Sequence, residues 1–168
     1  MLTSALIQCH FDYGCAIWYS GLTCAYKKKL QVVQNKIIKY ILDVPPRTHV
    51  GAPEFCSVHL LPVPLRVEQL KLNHMFNIMN GTSPEYLKCE ISVMGNDGHN
   101  TRSGHRACVV PSVKSFGLRT FFYTAIKLWN SLPLRTQTII NKCMFKKSVK
   151  TMLWDKLKRE DQLTYHYY

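Results

Sequence analysis

The stretch GHNTRSGHRACVVPSVKSFGLRTFFYTAIKLWNSLPLRTQTIINKCMFKKSVKTMLW, residues 98–154, contains no aspartate and no glutamate. It carries Arg102, Arg106, Lys114, Arg119, Lys127, Arg135, Lys142, Lys146, Lys147 and Lys150, interleaved with Phe116, Phe121, Phe122, Tyr123, Trp129, Phe145 and Trp154. Phe121, Phe122, Ala125, Leu128 and Trp129 fall at helical spacing and predict a helix over 116–129, ended by Asn130-Ser131-Leu132-Pro133. Asn141 is a good N-cap for a last helix running to residue 159, with Phe145, Val149, Met152, Leu153 and Leu157 as its core stripe. Lys142, Lys146 and Lys150 are spaced by four and share one face of that helix, where like charges repel by a few tenths of a kcal/mol each. Residues 107–110, ended by Pro111, read as a short strand. The fold class expected is therefore mainly α, with a small β element near 107–110.

Outward toward the N-terminus the pattern stays helical. Residues 24–42 are the most regular helix of the first half, with Leu30, Val33, Ile37, Tyr40 and Ile41 as the expected buried stripe. Lys27, Lys28, Lys29, Lys36 and Lys39 occupy its other faces, and no acid occurs between Asp12 and Asp43. Its early lysines oppose the helix dipole, a local cost that an outside anion would offset. Residues 2–18 read as one helix weakened at Gly14 by about 1 kcal/mol relative to alanine. This helix starts without a cap, which suggests a fragment, or a start codon placed by chance. Pro45-Pro46 stops the second helix, and a short helix is expected over 52–59. Pro64 opens a helix to residue 80 that buries Leu65, Val67, Leu70, Met75, Ile78 and Met79, with Gly81 as its C-terminal cap. Ser83-Pro84-Glu85 starts a one- or two-turn helix. Gly95-Asn96-Asp97-Gly98-His99-Asn100 is a loop by composition. The chain thus divides into a helical region 1–90, a loop 91–104, a basic region 105–160 and a frayed tail 161–168.

Composition narrows the partners. Of 168 residues 46% are hydrophobic, which favours a packed core over disorder, and the net charge of +12 points to nucleic acid, an anionic membrane surface or an acidic protein. Seven cysteines without regular spacing argue against a disulfide framework and for a reducing, intracellular compartment, nucleus or cytoplasm. No apolar run approaches the ~20 residues of a membrane-spanning helix, and the first residues lack the basic-then-apolar pattern of a signal peptide.

The chemistry of catalysis is thinly represented. Cys56 and His59 have metal-ligand spacing but lack a second pair such as CxxC, and His99, His105 and Cys108 supply one only if their loop folds back. Cys9 with His10, and Cys108 with His105, lack an orienting acid for a nucleophilic role. No glycine-rich phosphate loop occurs. We expect no cofactor, no metal and no catalytic residue. Trp129 is expected in the core, while for Trp18 and Trp154 core packing and base stacking both stay as alternatives.

Several segments together resemble the C-terminal part of non-LTR retrotransposon (LINE, jockey-like) reverse transcriptases. They are residues 6–18, LIQCHFDYGCAIW; 30–36, LQVVQNK; 60–63, LLPV, with Arg66; 80–87, NGTSPEYL; 101–103, TRS; 128–133, LWNSLP; and 145–147, FKK. They fall in the family's order and span nearly the whole chain. A tryptophan expected just before the Leu61-Pro62-Val63 segment is absent. The resemblance implies a helical thumb and post-thumb region that grips a template–product duplex, with fingers and palm lying upstream. It also implies that catalysis lies elsewhere, since two-metal phosphoryl transfer needs clamping carboxylates and this chain has no Asp-Asp pair.

The expected function is noncatalytic binding of RNA or DNA, duplex or hybrid, with little sequence specificity. Lys142, Lys146, Lys147 and Lys150 would track phosphates along one helix, and Lys27, Lys28, Lys29, Lys36 and Lys39 would form a second strip. Arg102, Arg106, Lys114 and Arg119 would touch backbone or flanking bases. Phosphate contacts position a protein without reading sequence. The alternatives are a solvated basic surface without a partner, and a retrotransposon-derived fragment or protein-interaction module with exposed apolar faces, possible partners including the missing polymerase domains. A third is a membrane-surface role for the last helix, where Phe145 and Trp154 accompany the charges.

Overall fold

The computed structural model describes the backbone of residues 8–92 and 108–165, and side chains as far as 160. Its helices are α1 (Cys9–Asp12), α2 (Cys15–Trp18), α3 (Cys24–Leu42), α4 (Ala52–Val58), α5 (Val63–Met79), α6 (Glu85–Cys89), α7 (Phe121–Asn130), α8 (Leu134–Gln137) and α9 (Lys142–Tyr165). Short 3-10 stretches occupy Tyr19–Gly21 and Ser115–Arg119. The mainly α expectation holds.

The centre is α5. It packs against α7, α9, α2, α1, α6 and α3. Leu65, Leu72, Met75, Phe76 and Ile78 of α5 join Ala125, Ile126 and Trp129 of α7 and Phe145, Val149 and Leu153 of α9 in one buried cluster. Phe145 stacks on Phe76 with ring centroids 4.4 Å apart and lies 5.8 Å from the Trp129 ring. Residues from both sides of the 91–104 loop thus share this core. A second cluster joins Cys15 and Tyr19 to Val63 and Val67, and a third joins Ile38 of α3 to Val50 and Phe55. Trp154 and Leu157 of α9 touch both the first and the third cluster.

Capping explains the boundaries of α9 and α4. The Asn141 side chain accepts hydrogen bonds from the N–H groups of Cys143 (2.9 Å) and Met144 (3.2 Å), as the N-cap reading requires. The Gly51 N–H donates to Glu54 Oε2 at 2.7 Å at the start of α4. The helix α9 continues to Tyr165, past the expected end at 159. The helix α6 begins at Glu85, with Pro84 preceding it.

Four expectations are corrected. The single helix over 2–18 is broken: Tyr13 is extended, Gly14 sits at φ +60°, and α1 and α2 lie on either side. Only glycine takes that backbone without strain, so Gly14 ends a helix rather than weakening one. No strand forms among the described residues. Cys108 makes an isolated bridge, and the Val109 N–H donates to Ser92 O at 2.7 Å. The Asn130 side chain occupies both backbone groups of Cys108, accepting from its N–H at 2.9 Å and donating to its carbonyl at 2.8 Å, so no ladder extends. Ala107 lies outside the described residues. The helix expected from 116 begins at Phe121, because Ser115–Arg119 is a 3-10 turn that leaves Phe116 exposed.

The fourth correction concerns α3. Val33, Tyr40 and Ile41 are exposed, Tyr40 at 88%, while Gln34 and Ile38 are the buried residues of the helix. The reason is the surface it faces. Gln34 Nε2 donates to Leu61 O at 2.9 Å, and the Val63 N–H donates to Gln34 Oε1 (3.0 Å) and Gln31 Oε1 (3.1 Å). At Gln34 the partner is a bare backbone corner at the start of α5, whose first N–H groups have no partner inside the helix, so a polar side chain is buried there, while Ile38 packs on Val50 and Phe55.

Candidate nucleic-acid interface

The acid-free side of α9 is built by the register of its core. Phe145, Val149 and Leu153 are buried and lock the helix in place, while Lys142, Lys146, Lys147 and Lys150 are all exposed. Among the described residues the ion pairs are Arg66–Asp12 at 2.7 Å and Lys156–Glu68 at 2.9 Å, so none of these four lysines meets a carboxylate. Four cations within three helical turns, without resident counterparts, form a strip of positive potential.

The α3 lysines divide. Lys28 and Lys36 are exposed. Lys29 Nζ lies 5.4 Å from the centroid of the Tyr26 ring, and Lys27 Nζ 5.3 Å from that of Tyr19. Lys39 is half-buried and donates to Pro46 O at 2.6 Å, so this lysine ties the loop after α3 back to its helix. With Lys36, Val32, Tyr40, Val44 and Pro46 it lines a groove of about 510 Å³. Lys114 is exposed at the start of the 3-10 turn, and Arg119 is exposed at its end. Arg102 and Arg106 lie outside the described residues.

A second cavity of about 510 Å³ gathers cations that neighbouring sequence does not connect. Lys27 of α3, Lys71 of α5, Arg119 and Lys127 of α7 line it, with Glu68, Tyr19, Ser20 and Thr124. Lys71 is only 4% exposed. It donates to Ser20 Oγ and, at 2.7 Å, to Thr124 Oγ1. Its pKa is lowered from 10.5 to about 8, chiefly by burial and then by the nearby Lys27 charge, against weaker opposing effects of Cys15 and Glu68. Burial also raises the pKa of Tyr19 on the same wall, with Cys15 and Glu68 adding to it. Lys127 Nζ sits 4.5 Å from the Tyr123 ring centroid.

No protein-family model matches this chain, and no curated protein and no solved structure matches it.

The segments that carry the family resemblance hold one another. Asp12 of the Asp12-Tyr13-Gly14 turn pairs with Arg66 through two hydrogen bonds, 3.0 Å to Nε and 2.7 Å to Nη2. Gln31 and Gln34 clasp Leu61 and Val63. In residues 128–133, Trp129 fills the core, Asn130 holds Cys108, and Gln137 Nε2 donates to the carbonyls of Trp129 (2.9 Å) and Leu132 (3.1 Å). Residues 101–103 lie outside the described residues. Trp18 is 36% exposed and donates to Tyr13 O at 2.8 Å, whereas Trp154 is half-buried between two clusters.

Sequence reading passed over Lys71. The signal was present: Val67, Lys71, Met75 and Ile78 follow helical spacing, and a charge standing in an apolar register is a buried charge. Lys127 was named within the basic stretch but not as a site residue.

Proposed function

We propose that this chain is a noncatalytic nucleic-acid-binding unit that grips the phosphate backbone, as its resemblance to the thumb and post-thumb region of non-LTR retrotransposon reverse transcriptases implies. The observation that carries the reading is the α9 strip: Lys142, Lys146, Lys147 and Lys150 all stand exposed on a helix that Phe145, Val149 and Leu153 lock in the core. A helix so anchored presents its charges without having to order itself on binding, which limits the entropic cost. Lys28, Lys29 and Lys36 extend the basic surface on α3. The binding is expected to be indifferent to sequence, because nothing in the strip is shaped to read base edges. The proteins of this type act inside cells, and an intracellular location belongs to the same proposal. Among the described residues no helix is long and apolar enough to cross a membrane.

Replacing the four α9 lysines by glutamine tests the reading. Affinity for several unrelated duplexes, measured by fluorescence anisotropy at about 0.1 M salt, should fall by roughly 10²-fold and by the same factor for each. A loss confined to one sequence, or no loss, would count against it.

A second reading has its own observation. Tyr13, Ile17, Tyr40, Phe116 and Ile140 are each more than two-thirds exposed, and a groove of about 450 Å³ is lined by Ile17, Leu70, Ile78, Leu87, Phe121 and Phe122. Such faces suit docking onto protein, and the reading predicts self-association or capture of a polymerase domain in sedimentation at micromolar concentration.

A further inference from the structure

The cavity around Lys71 is more than a by-product of packing. An ammonium group this deep is expensive to bury unless its donors and its charge are met. Its donors are partly met: Ser20 Oγ accepts one N–H, and Thr124 Oγ1 accepts another while donating its own proton to Thr120 O at 2.9 Å. Its charge is not met. No carboxylate reaches ion-pair distance among the described residues, and Glu68, the one acid on the cavity wall, is committed to Lys156 through bonds of 2.9 and 3.0 Å. Among the described residues the third ammonium N–H has no protein acceptor. Lys27, Arg119 and Lys127 add three more positive charges to the same wall. The intervening surface is apolar, formed by Pro64, Val67, Leu118 and Leu128, and it strengthens any charge interaction inside.

We propose that this cavity is a phosphate seat, in which Lys71 directs its remaining N–H at a phosphate oxygen while Lys27, Arg119 and Lys127 neutralise the group from the rim. The proposal rests on the nucleic-acid reading for its source, a backbone phosphodiester, but its chemistry is shared by a free phosphate or a nucleotide. A lone phosphate needs a small part of a cavity of about 510 Å³, and the remainder admits the attached sugar. Ser20 and Thr124 fix the ammonium, so the third donor is aimed before any ligand arrives. The geometry separates this seat from the α9 strip: the strip offers exposed charges, the seat one buried donor held by two hydroxyls.

The groups facing Lys71 are Cys15 and Tyr19 on one side, Lys27 from α3, Glu68 from its own helix, and Arg119 and Lys127 from beyond. With a pKa of about 8 when empty, Lys71 takes up a proton as phosphate binds above that pH. Seat affinity should therefore fall roughly tenfold between pH 8 and 9.5, where exposed lysines keep their charge. The experiment is protection of Lys71 from reductive methylation, read by mass spectrometry, in the presence of inorganic phosphate, adenosine monophosphate or a 20-base-pair duplex. It is paired with duplex titrations of Lys71→Met and Arg119→Gln at pH 7.5 and 9.5. The expected result is protection of Lys71 by all three ligands, at least about tenfold weaker duplex binding by Lys71→Met at pH 7.5, and no further pH loss in that variant. Arg119 is exposed on the rim, so Arg119→Gln folds in any case and should lower protection severalfold. Methylation of Lys71 at the same rate with and without each saturating ligand overturns the seat. If the α9 variant loses duplex while Lys71→Met keeps it, the seat fails and the nucleic-acid reading stands. If phosphate and nucleotide protect Lys71 but no variant or wild type binds duplex, the seat stands and the nucleic-acid reading fails.

Discussion

Two lysine-rich helices of similar appearance, α3 and α9, are used in different ways. In α9 an apolar stripe of Phe145, Val149 and Leu153 faces the core and every lysine from Lys142 to Lys150 is exposed. In α3 the buried face is Gln34 beside Ile38, the lysines scatter over aromatic rings and a backbone carbonyl, and Val33 and Tyr40 face outward. The difference lies in what each helix packs against. The partner of α9 is the aromatic side of α5 and α7, which apolar side chains complement. At Gln34 the partner of α3 is the backbone at Leu61 and Val63, which only donors and acceptors can satisfy, while Ile38 packs on Val50 and Phe55. Charge density along a helix therefore says little until the opposite face is known.

The comparison breaks first at Phe145. Its ring sits between Phe76 and Trp129 with no exposed surface, so Phe145→Ala should destabilise the fold by about 3–5 kcal/mol in urea unfolding. A loss below about 1 kcal/mol would mean that α9 is not anchored as described. Gln34→Leu is the matching test on α3. It leaves the Leu61 carbonyl without its donor and Val63 N–H with Gln31 alone, and should cost about 1–3 kcal/mol although leucine is the more hydrophobic residue. A stabilising effect would restore the apolar-stripe account of α3.

The central helix α5, which packs on both, gives a prediction of opposite sign. The folded pKa of Lys71 lies below the unfolded value of 10.5, so between pH 8 and 10.5 the unfolded chain holds more protons and stability rises with pH. Below about pH 8 the penalty is fully present. The fall from 10.5 to about 8 is on the order of 3 kcal/mol, an upper figure because Lys71→Met also loses two hydrogen bonds. Lys71→Met should stabilise the protein at pH 7 by about 1–2 kcal/mol and flatten the rise above pH 8. The smallest effect belongs to Tyr40→Gln, expected within about 0.5 kcal/mol of wild type because the ring is exposed. A larger loss would mean that a partner or a second copy covers α3.

Much of the fold was legible because helical spacing and caps are local. The α5 and α9 stripes, the Asn141 cap, the stop after Leu42 before Pro45-Pro46 and the buried Trp129 follow from neighbours within a turn or two. The misread features depend on distant partners. The α3 face was set by Leu61 and Val63, about thirty positions on, and the strand near 107–110 was pre-empted by Asn130. The basic α9 strip was visible as residue spacing. The Lys71 cavity was not, because Lys27, Lys71, Arg119 and Lys127 come together only in the fold.

The most direct test of phosphate gripping by α9 is the salt dependence of duplex affinity, for wild type and for the variant with glutamine at positions 142, 146, 147 and 150. Four to six neutralised phosphates give wild type a log–log slope of about −4 to −5, and the variant should lose about 3 to 4 of it. Equal slopes for the two proteins, or a wild-type slope near zero, would contradict the account.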